Sequence, residues 1–175
     1  YKNQLRCTRG FLRLPVGPSR KKLLFMGREL GQLARVELQP AAGLYLLDNE
    51  ENRQIHQFFK DANAFYKRTP ACGRLIQLGG FEWLVPDDNH NNVVVFLRKD
   101  KKGRDLLCAV NFSPNTYENY RMGVPPRRKY VPMLNTDDPA YGGDGFGDTA
   151  AVLVEAIPSH GKEHSAAIRI PAFGA

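Results

Sequence analysis

Blocks of apolar residues separated by polar stretches run through the second half of the chain, and the clearest pair of blocks predicts a β-hairpin. Residues 93–97 and 106–110 are apolar and partly β-branched, and the charged stretch between them contains Gly103. Two apolar runs on either side of a short polar stretch with a glycine favour a hairpin over a helix. Because both runs are nearly continuous in apolar residues, we expect both faces of the sheet to be covered here.

Further strands are predicted around this hairpin, in runs that are rich in apolar or β-branched residues. These runs are 81–85, 116–122, 129–134 and 165–170. Residues 86–92 are predicted to form a polar turn, and the Gly- and Asp-rich stretch 135–149 a long irregular surface loop. The length and spacing of the strands predict a small antiparallel β-sandwich.

The first half of the chain has a different pattern, which predicts a helix over residues 48–68. Asp48 is the expected N-cap, with Glu51 completing a capping box, and Pro70 is expected to stop the helix. Apolar residues recur at helical spacing in between, namely Ile55, Phe58, Phe59, Ala62, Phe65 and Tyr66.

A short apolar run at residues 23–26, just before this helix, predicts a buried parallel strand. A short helix over residues 1–14 and a loop over 31–43 are also predicted. A strand, a loop and an amphipathic helix make one β/α unit, which needs neighbours to cover its faces, so we expect the chain to be part of a longer protein. Glu29 follows the carboxyl end of the strand, where α/β folds place binding groups.

Charge and composition narrow the range of partners. The 175 residues carry a net charge of +7, but the basic residues are scattered and no nucleic-acid-binding motif accompanies them. No run is long and apolar enough for a membrane span, and residues 1–9 do not resemble a signal peptide. We therefore expect no nucleic acid and no membrane as partners. Cys7, Cys72 and Cys108 lack the paired spacing of a disulfide framework, which suits a reducing cytoplasm.

No motif predicts an active site, a metal site or a cofactor site. His160 and His164 have the spacing of a helical metal pair, but Gly161 and Pro158 argue against a helix there. The glycine-rich stretch 141–148 is not followed by a helix pattern, as a phosphate-binding loop would be.

Two pairs of adjacent carboxylates, Asp87 with Asp88 and Asp137 with Asp138, do not make a catalytic pair either. Glycoside chemistry needs two carboxyl groups that face each other across a bond, and neighbours in one loop do not provide this geometry. Turn capping is the role that we expect for them.

Trp83 is the only tryptophan, and two roles stay open for it. Large aromatic residues are mostly buried, which favours packing in the core or between domains. An exposed indole would instead offer a platform on which the C–H face of a sugar ring stacks.

Several motifs in the same order resemble the 1,4-α-glucan (glycogen) branching enzymes of the α-amylase superfamily. Residues 21–29 resemble the last barrel strand of that family, and residues 46–53 and 59–66 resemble its last barrel helix. Further motifs resemble its C-terminal β-domain, at residues 80–84, 110–114, 135–137, 141–143 and 159–161. Residues 33–37 and 42–44 depart from the family pattern, since they lack its aromatic residues.

The resemblance implies a fold and a function. The implied fold is the last β/α unit of a (β/α)8 barrel over residues 1–78, followed over residues 79–175 by an all-β C-terminal domain, an antiparallel β-sandwich. The family cleaves an α-1,4 glucan and transfers the freed segment to a 6-hydroxyl, by a retaining mechanism that uses two carboxylic side chains. In the family these side chains lie in barrel strands upstream of Tyr1, so no catalytic residue is implied here.

By the same resemblance, Glu29 and Gln32 lie near the rim of the active-site cleft, and Trp83 matches a tryptophan that contacts glucan outside the cleft. The implied partners are an α-glucan, such as glycogen or amylose, and the N-terminal part of the catalytic barrel. No metal and no cofactor is implied. The expected function is that of a cytoplasmic, C-terminal segment of a branching enzyme that is not catalytic alone. The alternatives are a glucan-binding β-domain and an inactive remnant of such an enzyme.

Overall fold

The computed structural model describes residues 28–31, 44–73 and 79–175. Within these ranges the helices are α1, Glu50–Arg68, and α2, Pro70–Gly73. The strands are β1 Phe81–Asp88, β2 Val93–Lys99, β3 Asp105–Asn111, β4 Tyr117–Val124, β5 Lys129–Tyr130, β6 Val152–Leu153 and β7 His164–Ile170. Short 3-10 turns occur at Arg28–Leu30, Leu44–Asp48 and Pro139–Tyr141.

The described strands form antiparallel sheets, and β2 is the central strand of the largest. That sheet has the order β1-β2-β3, and the others are the pairs β4-β7 and β5-β6. The predicted hairpin is confirmed, because β2 pairs with β3 in one unbroken register. The carboxylate of Asp100 closes the turn by accepting hydrogen bonds from the backbone N–H groups of Lys102 and Arg104.

The hydrophobic core lies between the β1-β2-β3 sheet and the β4-β7 pair. Alternate residues of β2, namely Val93, Val95 and Leu97, are fully buried in it and pack with residues of β4 and β7. On the other face of β2, Phe96 and Arg98 are buried as well. Both faces of this strand are therefore covered, and the prediction of an all-β domain built from antiparallel sheets is confirmed.

The predicted helix is confirmed as α1, but its N-cap is Asn49 rather than Asp48. The side chain of Asn49 accepts a hydrogen bond from the N–H of Glu51, whereas Asp48 ends the preceding 3-10 turn. Asp and Asn both cap helices well. Because the 3-10 turn includes Asp48, the cap falls on the next residue, Asn49. Ile55 and Phe58 are among the apolar residues that α1 buries.

Two predicted strand boundaries were wrong. β1 continues through Pro86 to Asp88 where a turn was predicted. β1 is an edge strand, where a proline is tolerated because its missing N–H need not pair with a neighbour. The pairing of β1 with β2 is also irregular on either side of Val85. β5 contains only Lys129–Tyr130, and the rest of the predicted strand is not paired in a described sheet.

Some of the elements predicted from the sequence lie outside the described residues. The predicted helix over 1–14, the predicted strand over 23–26 and most of the loop over 31–43 lie there. The structure therefore describes the helix of the predicted β/α unit but not its strand. α1 ends at Arg68, as predicted, and Pro70 opens the short α2. In the ranges that the structure covers, no helix is both long and apolar enough to span a membrane.

Candidate functional site

Trp83 is one of three neighbouring aromatic rings on the face of the sheet that points away from the core. Its ring centroid lies 5.0 Å from that of Phe81 and 5.9 Å from that of Phe96, and both contacts are edge-to-face. Phe81 and Phe96 stack on each other, with centroids 5.4 Å apart. Phe96 is buried, whereas Trp83 is 45% exposed. The two phenyl rings thus support the indole from inside and leave part of it open to solvent.

This arrangement suits a stacking ligand. Edge-to-face contacts with two rings restrict the rotamers of an indole. A ligand that stacks on it therefore pays little conformational entropy for ordering the side chain. The indole of tryptophan also offers an apolar face together with a polar N–H group. The Trp83 side chain therefore has both the accessibility and the support that a platform requires.

Glu82, the residue before Trp83 on β1, forms two ion pairs. The carboxylate of Glu82 lies 2.7 Å from Nζ of Lys99 on β2 and 2.5 Å from Nζ of Lys162 in the loop before β7. The hydrogen bonds from Lys162 and Lys99 lower the pKa of Glu82 and outweigh the opposite effect of burial. Glu82 therefore joins the β1-β2-β3 sheet to the loop before β7.

A buried arginine joins the outer face of the sheet to the helical region. Arg98 on β2 is 4% exposed. Its guanidinium donates hydrogen bonds of 3.0 Å to the carbonyl oxygens of both Ala71 and Cys72 in α2. The last carbonyls of a helix lack partners within the helix, and a cation near them is favoured. Arg98 is therefore an anchor between β2 and the helical region.

Tyr141 is a second anchor, in the stretch that was predicted to be an irregular surface loop. Its ring packs edge-to-face on Phe58 of α1 at 5.3 Å, and its hydroxyl donates a 3.0 Å hydrogen bond to Asp61 Oδ2. The next residue, Gly142, has a φ of 74°, and a Cβ there would collide with the Gln54 side chain of α1. The prediction of a surface loop was thus wrong at Tyr141, which is buried against α1.

The sequence-predicted site residues lie on different elements. Glu29 is half-buried in the first 3-10 turn. The buried side-chain amide of Asn52 on α1 donates to the carbonyl oxygen of Leu30, so α1 holds this turn in place. Trp83, in contrast, contacts side chains of β1 and β2. Gln32 lies outside the described residues.

Asp88, at the end of β1, belongs to a polar network. Its carboxylate accepts hydrogen bonds from the backbone and side-chain N–H groups of Asn91 and from the hydroxyl of Tyr120. Burial alone would raise the pKa of Asp88, but these hydrogen bonds outweigh it and lower the pKa. Burial, together with the Asp88 carboxylate, raises the pKa of Tyr120. The predicted turn-capping role of Asp88 is confirmed by its bonds to Asn91.

The network borders a polar cavity of about 410 Å³ that sequence reasoning missed. The cavity is lined by Tyr117, Arg121 and His160 in addition to the residues of the network. Small-molecule sites occupy about 300–1,000 Å³ and carry a few polar groups that fix a ligand. The cavity can therefore exchange hydrogen bonds with a polar ligand. Its one sequence signal was the pair of tyrosines among polar residues at the start of Tyr117–Val124.

The carboxylates of the second adjacent pair, Asp137 and Asp138, have different roles. Asp138 accepts a hydrogen bond from the N–H of Ala140, at the start of a 3-10 turn. Asp137 accepts one from the N–H of Phe146 across the loop. The predicted capping role is confirmed for Asp138, whereas Asp137 links two distant parts of the loop.

The two histidines with metal-like spacing do not lie on a helix. The backbones of Ser159 and Lys162 pair with each other across a tight turn, with His160 inside it and His164 at the start of β7. Among the residues that the structure describes, no group of three or more His, Cys, Asp or Glu side chains could hold a metal ion.

Part of this chain matches a known protein family. Residues 83–175 match the family model of the alpha amylase C-terminal all-beta domain. The match begins at Trp83 and includes every strand from β2 to β7.

Curated relatives include proteins described as 1,4-alpha-glucan branching enzyme GlgB. Those of Paraburkholderia xenovorans (strain LB400), Rhodococcus jostii (strain RHA1) and Desulfitobacterium hafniense (strain Y51) are each 39% identical to this chain, over 152, 160 and 157 residues. The aligned residues make up 86% to 89% of this chain but only 21% to 25% of the relatives. The chain thus spans about a fifth to a quarter of the length of these relatives, and it is homologous to their C-terminal region.

Proposed function

Because this chain belongs to the family of alpha amylase C-terminal all-beta domains, we propose that it serves as the C-terminal part of a 1,4-α-glucan branching enzyme. In that role it supports the transfer of a glucan segment from an α-1,4 to an α-1,6 linkage. The catalytic carboxylates belong to the preceding barrel strands, as the motif resemblance implies. The chain alone is therefore not expected to branch glucan.

The observation that carries this proposal is the anchoring of the β-sheets on the helical region. Arg98 bonds the carbonyls at the end of the helices, and Tyr141 packs on α1. We propose that residues 1–78 are the last unit of the catalytic barrel and that residues 79–175 are the β-domain. The two anchors are then interdomain contacts, which fix the β-domain against the barrel.

A second candidate function, glucan binding by the β-domain itself, is favoured by Trp83. Sugar rings present C–H faces that stack on aromatic surfaces, and Trp83 is exposed while two rings support it. Such a contact would hold glycogen or amylose near the enzyme without taking part in the reaction.

Glu29 and Gln32 are proposed as further glucan-binding residues, each on different grounds. For Glu29 the support is its half-buried position in a turn that α1 holds in place. For Gln32 the proposal rests on the motif resemblance alone. The cytoplasm is the proposed compartment, because the cysteine spacing does not indicate the disulfide framework of a secreted domain.

Glycogen affinity electrophoresis of the 175-residue chain tests the glucan contact. Wild type is expected to be retarded by glycogen in the gel. Trp83→Ala is expected to bind about tenfold more weakly, by analogy with a nucleobase, whose stacking on an aromatic side chain contributes about 1–3 kcal/mol. Trp83→Phe keeps an aromatic face and is expected to retain part of the retardation.

Phe112→Ala is the matched control, because Phe112 is an exposed aromatic residue of the same domain, at 39% exposure, outside the Trp83 cluster. It is expected to migrate like wild type. If wild type has equal mobility with and without glycogen, the glucan-binding function is refuted. If Phe112→Ala loses as much retardation as Trp83→Ala, Trp83 is not the site.

A further inference from the structure

The polar cavity of about 410 Å³ beside Asp88 is bordered by a bulge in β4. Between Tyr117 and Tyr120, β4 has one residue more than the stretch of β7 with which it pairs. Side chains three positions apart in a regular strand point to opposite faces, and an extra residue brings them to the same face. The rings of Tyr117 and Tyr120 lie 5.8 Å apart, and both line the cavity. The bulge thus directs two aromatic side chains to one place.

A second bulge lies in β1, which also borders the cavity. Between Val85 and Asp88, β1 has one residue more than the stretch of β2 with which it pairs. Val85 is part of the core, and the extra residue allows Asp88 to reach the hydroxyl of Tyr120 at 2.7 Å. The hydroxyl of Tyr117 donates a 2.9 Å hydrogen bond to the carbonyl oxygen of Asn91. Both tyrosines are therefore fixed in place before any ligand binds.

A tight turn adds an imidazole to the cavity. The backbones of Ser159 and Lys162 pair with each other, and His160 and Gly161 between them have φ values of 46° and 71°. Positive φ at both central residues is typical of a type I′ turn, in which Asn, Asp or Gly usually comes first. Here the first residue is His160, which lines the cavity. Its Nδ1 lies 2.8 Å from Ser159 Oγ, whereas Nε2 has no hydrogen-bond partner in the described part of the chain.

The turn that carries His160 is held by both of the bulged strands. A Cβ at Gly123 of β4 would collide with the carbonyl oxygen of Ser159, so the turn packs directly on the backbone of β4. Nζ of Lys162 donates a 2.5 Å hydrogen bond to Glu82 of β1. The position of the imidazole is therefore fixed relative to the tyrosines and to Asp88.

The charges around the cavity are already compensated within the protein. Arg121 pairs with Glu155 at 2.7 Å, and Glu118 pairs with Arg169 at 3.2 Å. Asp88 accepts three hydrogen bonds from neutral groups, and because a carboxylate has about four acceptor positions, one position remains for a ligand. An anion would lie beside this carboxylate without an unpaired cation to bind it. The lining therefore favours a neutral ligand that both donates and accepts hydrogen bonds.

We propose that this cavity binds one ring of a neutral sugar, either a free mono- or disaccharide or the end of a glucan chain. The C–H face of the ring lies against the half-buried ring of Tyr117, and its hydroxyl groups bond Nε2 of His160 and the remaining acceptor position of Asp88. The volume lies near the lower end of the range for small-molecule sites, about 300–1,000 Å³, which suits a short ligand.

This site is separate from the aromatic platform at Trp83. Trp83 does not line the cavity, and its neighbours are Phe81 and Phe96 on the face of the sheet that points away from the core. Sugar binding here therefore does not depend on glucan binding at Trp83 or on the role in a branching enzyme.

NMR titration of the isotope-labelled 175-residue chain with maltose tests the proposal. Saturable shifts are expected for the amides of residues 89–92, 116–121 and 159–162, with a Kd on the order of 1–10 mM, as suits a ligand of few atoms. His160→Asn is expected to bind maltose about three- to tenfold more weakly, the effect of one lost hydrogen bond. Asn is favoured in this type of turn, so the variant keeps the backbone.

His90→Asn is the matched control, because His90 is an exposed histidine of the same domain that does not line the cavity. It is expected to bind maltose like wild type, and so is Trp83→Ala. Inorganic phosphate is expected to cause no saturable shift at the same amides. Glycogen separates the two sources of the sugar ring: it displaces maltose if the cavity accepts chain ends, and it does not if the cavity takes only free sugars.

Four results would overturn the proposal. They are the absence of saturable shifts with maltose, unchanged maltose affinity in His160→Asn, an equal loss of affinity in His90→Asn or Trp83→Ala, and tighter binding of phosphate than of maltose. Each of them leaves the retardation by glycogen through Trp83 to be decided by electrophoresis, so the two glucan contacts can fail independently.

Discussion

Replacing Arg98 with methionine is expected to weaken the attachment of the β-sheets to the helical region. Arg98 is nearly completely buried and donates to the carbonyl oxygens of Ala71 and Cys72 at 3.0 Å each. A hydrogen bond that involves a charged group contributes about 1.5–3 kcal/mol, and a buried acceptor left without a partner costs about 1–3 kcal/mol. Methionine retains much of the unbranched apolar volume, so packing changes little.

The net effect is smaller than the sum of these contributions. Removing the guanidinium also removes the cost of burying its charge, and contributions within one network are not additive. We expect Arg98→Met to lower the free energy of unfolding by about 2–4 kcal/mol. With a urea m-value of about 2 kcal/mol/M, the unfolding midpoint falls by about 1–2 M. Trp83 fluorescence and far-UV circular dichroism measure this midpoint, since Trp83 is the only tryptophan.

Arg104→Met is the matched control. The Arg104 side chain is 65% exposed and pairs with Asp100 in the turn of the hairpin. In this variant the Asp100 carboxylate keeps its hydrogen bonds from the backbone N–H groups of residues 102 and 104, so losing the exposed guanidinium is expected to cost less than losing the buried guanidinium of Arg98. If Arg98→Met lowers the midpoint no more than Arg104→Met does, the reasoning that Arg98 anchors the sheet is wrong.

Two further changes test other parts of the structure. Gly143→Ala is expected to destabilise the chain by more than about 1 kcal/mol in urea unfolding, because a Cβ there would collide with the backbone of Asp137; an unchanged midpoint would show that the loop moves aside freely. Glu82→Gln is expected to lower stability by about 1 kcal/mol at pH 7. The folded-state pKa of Glu82 is below its ordinary value of 4.5, so its contribution is present above pH 4.5 and is lost as the pH falls below it. The difference between Glu82→Gln and wild type should therefore shrink in unfolding experiments at pH 3, and a constant difference would contradict the assignment.

The elements with a strong local pattern were predictable from the sequence. The β2-β3 hairpin was found because two apolar runs flank a charged turn, and α1 because its apolar residues recur at helical spacing. The predicted boundaries were wrong where the structure around a residue, and not its own type, decides where an element begins or ends. Pro86 continues β1 only because that strand lies at the edge of the sheet. Asn49 caps α1 because a 3-10 turn takes up the residue before it.

The candidate site was only partly predictable. Trp83 was identified from the sequence, and the motif resemblance to branching enzymes is confirmed by the family match and the relatives. The supporting contacts were not predictable, because they join distant residues. Arg98 bonds Ala71 across 27 positions, and Tyr141 bonds Asp61 across 80. No local pattern reports such pairs, and the same holds for the polar cavity beside Asp88.

The measurement that tests the central proposal most directly is the branching activity of a chimera. In the GlgB protein of Paraburkholderia xenovorans, the region that aligns with residues 83–175 is replaced by those residues of this chain. Amylose is incubated with the chimera or with the 175-residue chain alone, and α-1,6 linkages are counted by NMR. The account predicts that the chimera forms branches and that the chain alone forms none. A folded chimera without branching activity, or new branches made by the chain alone, would contradict it.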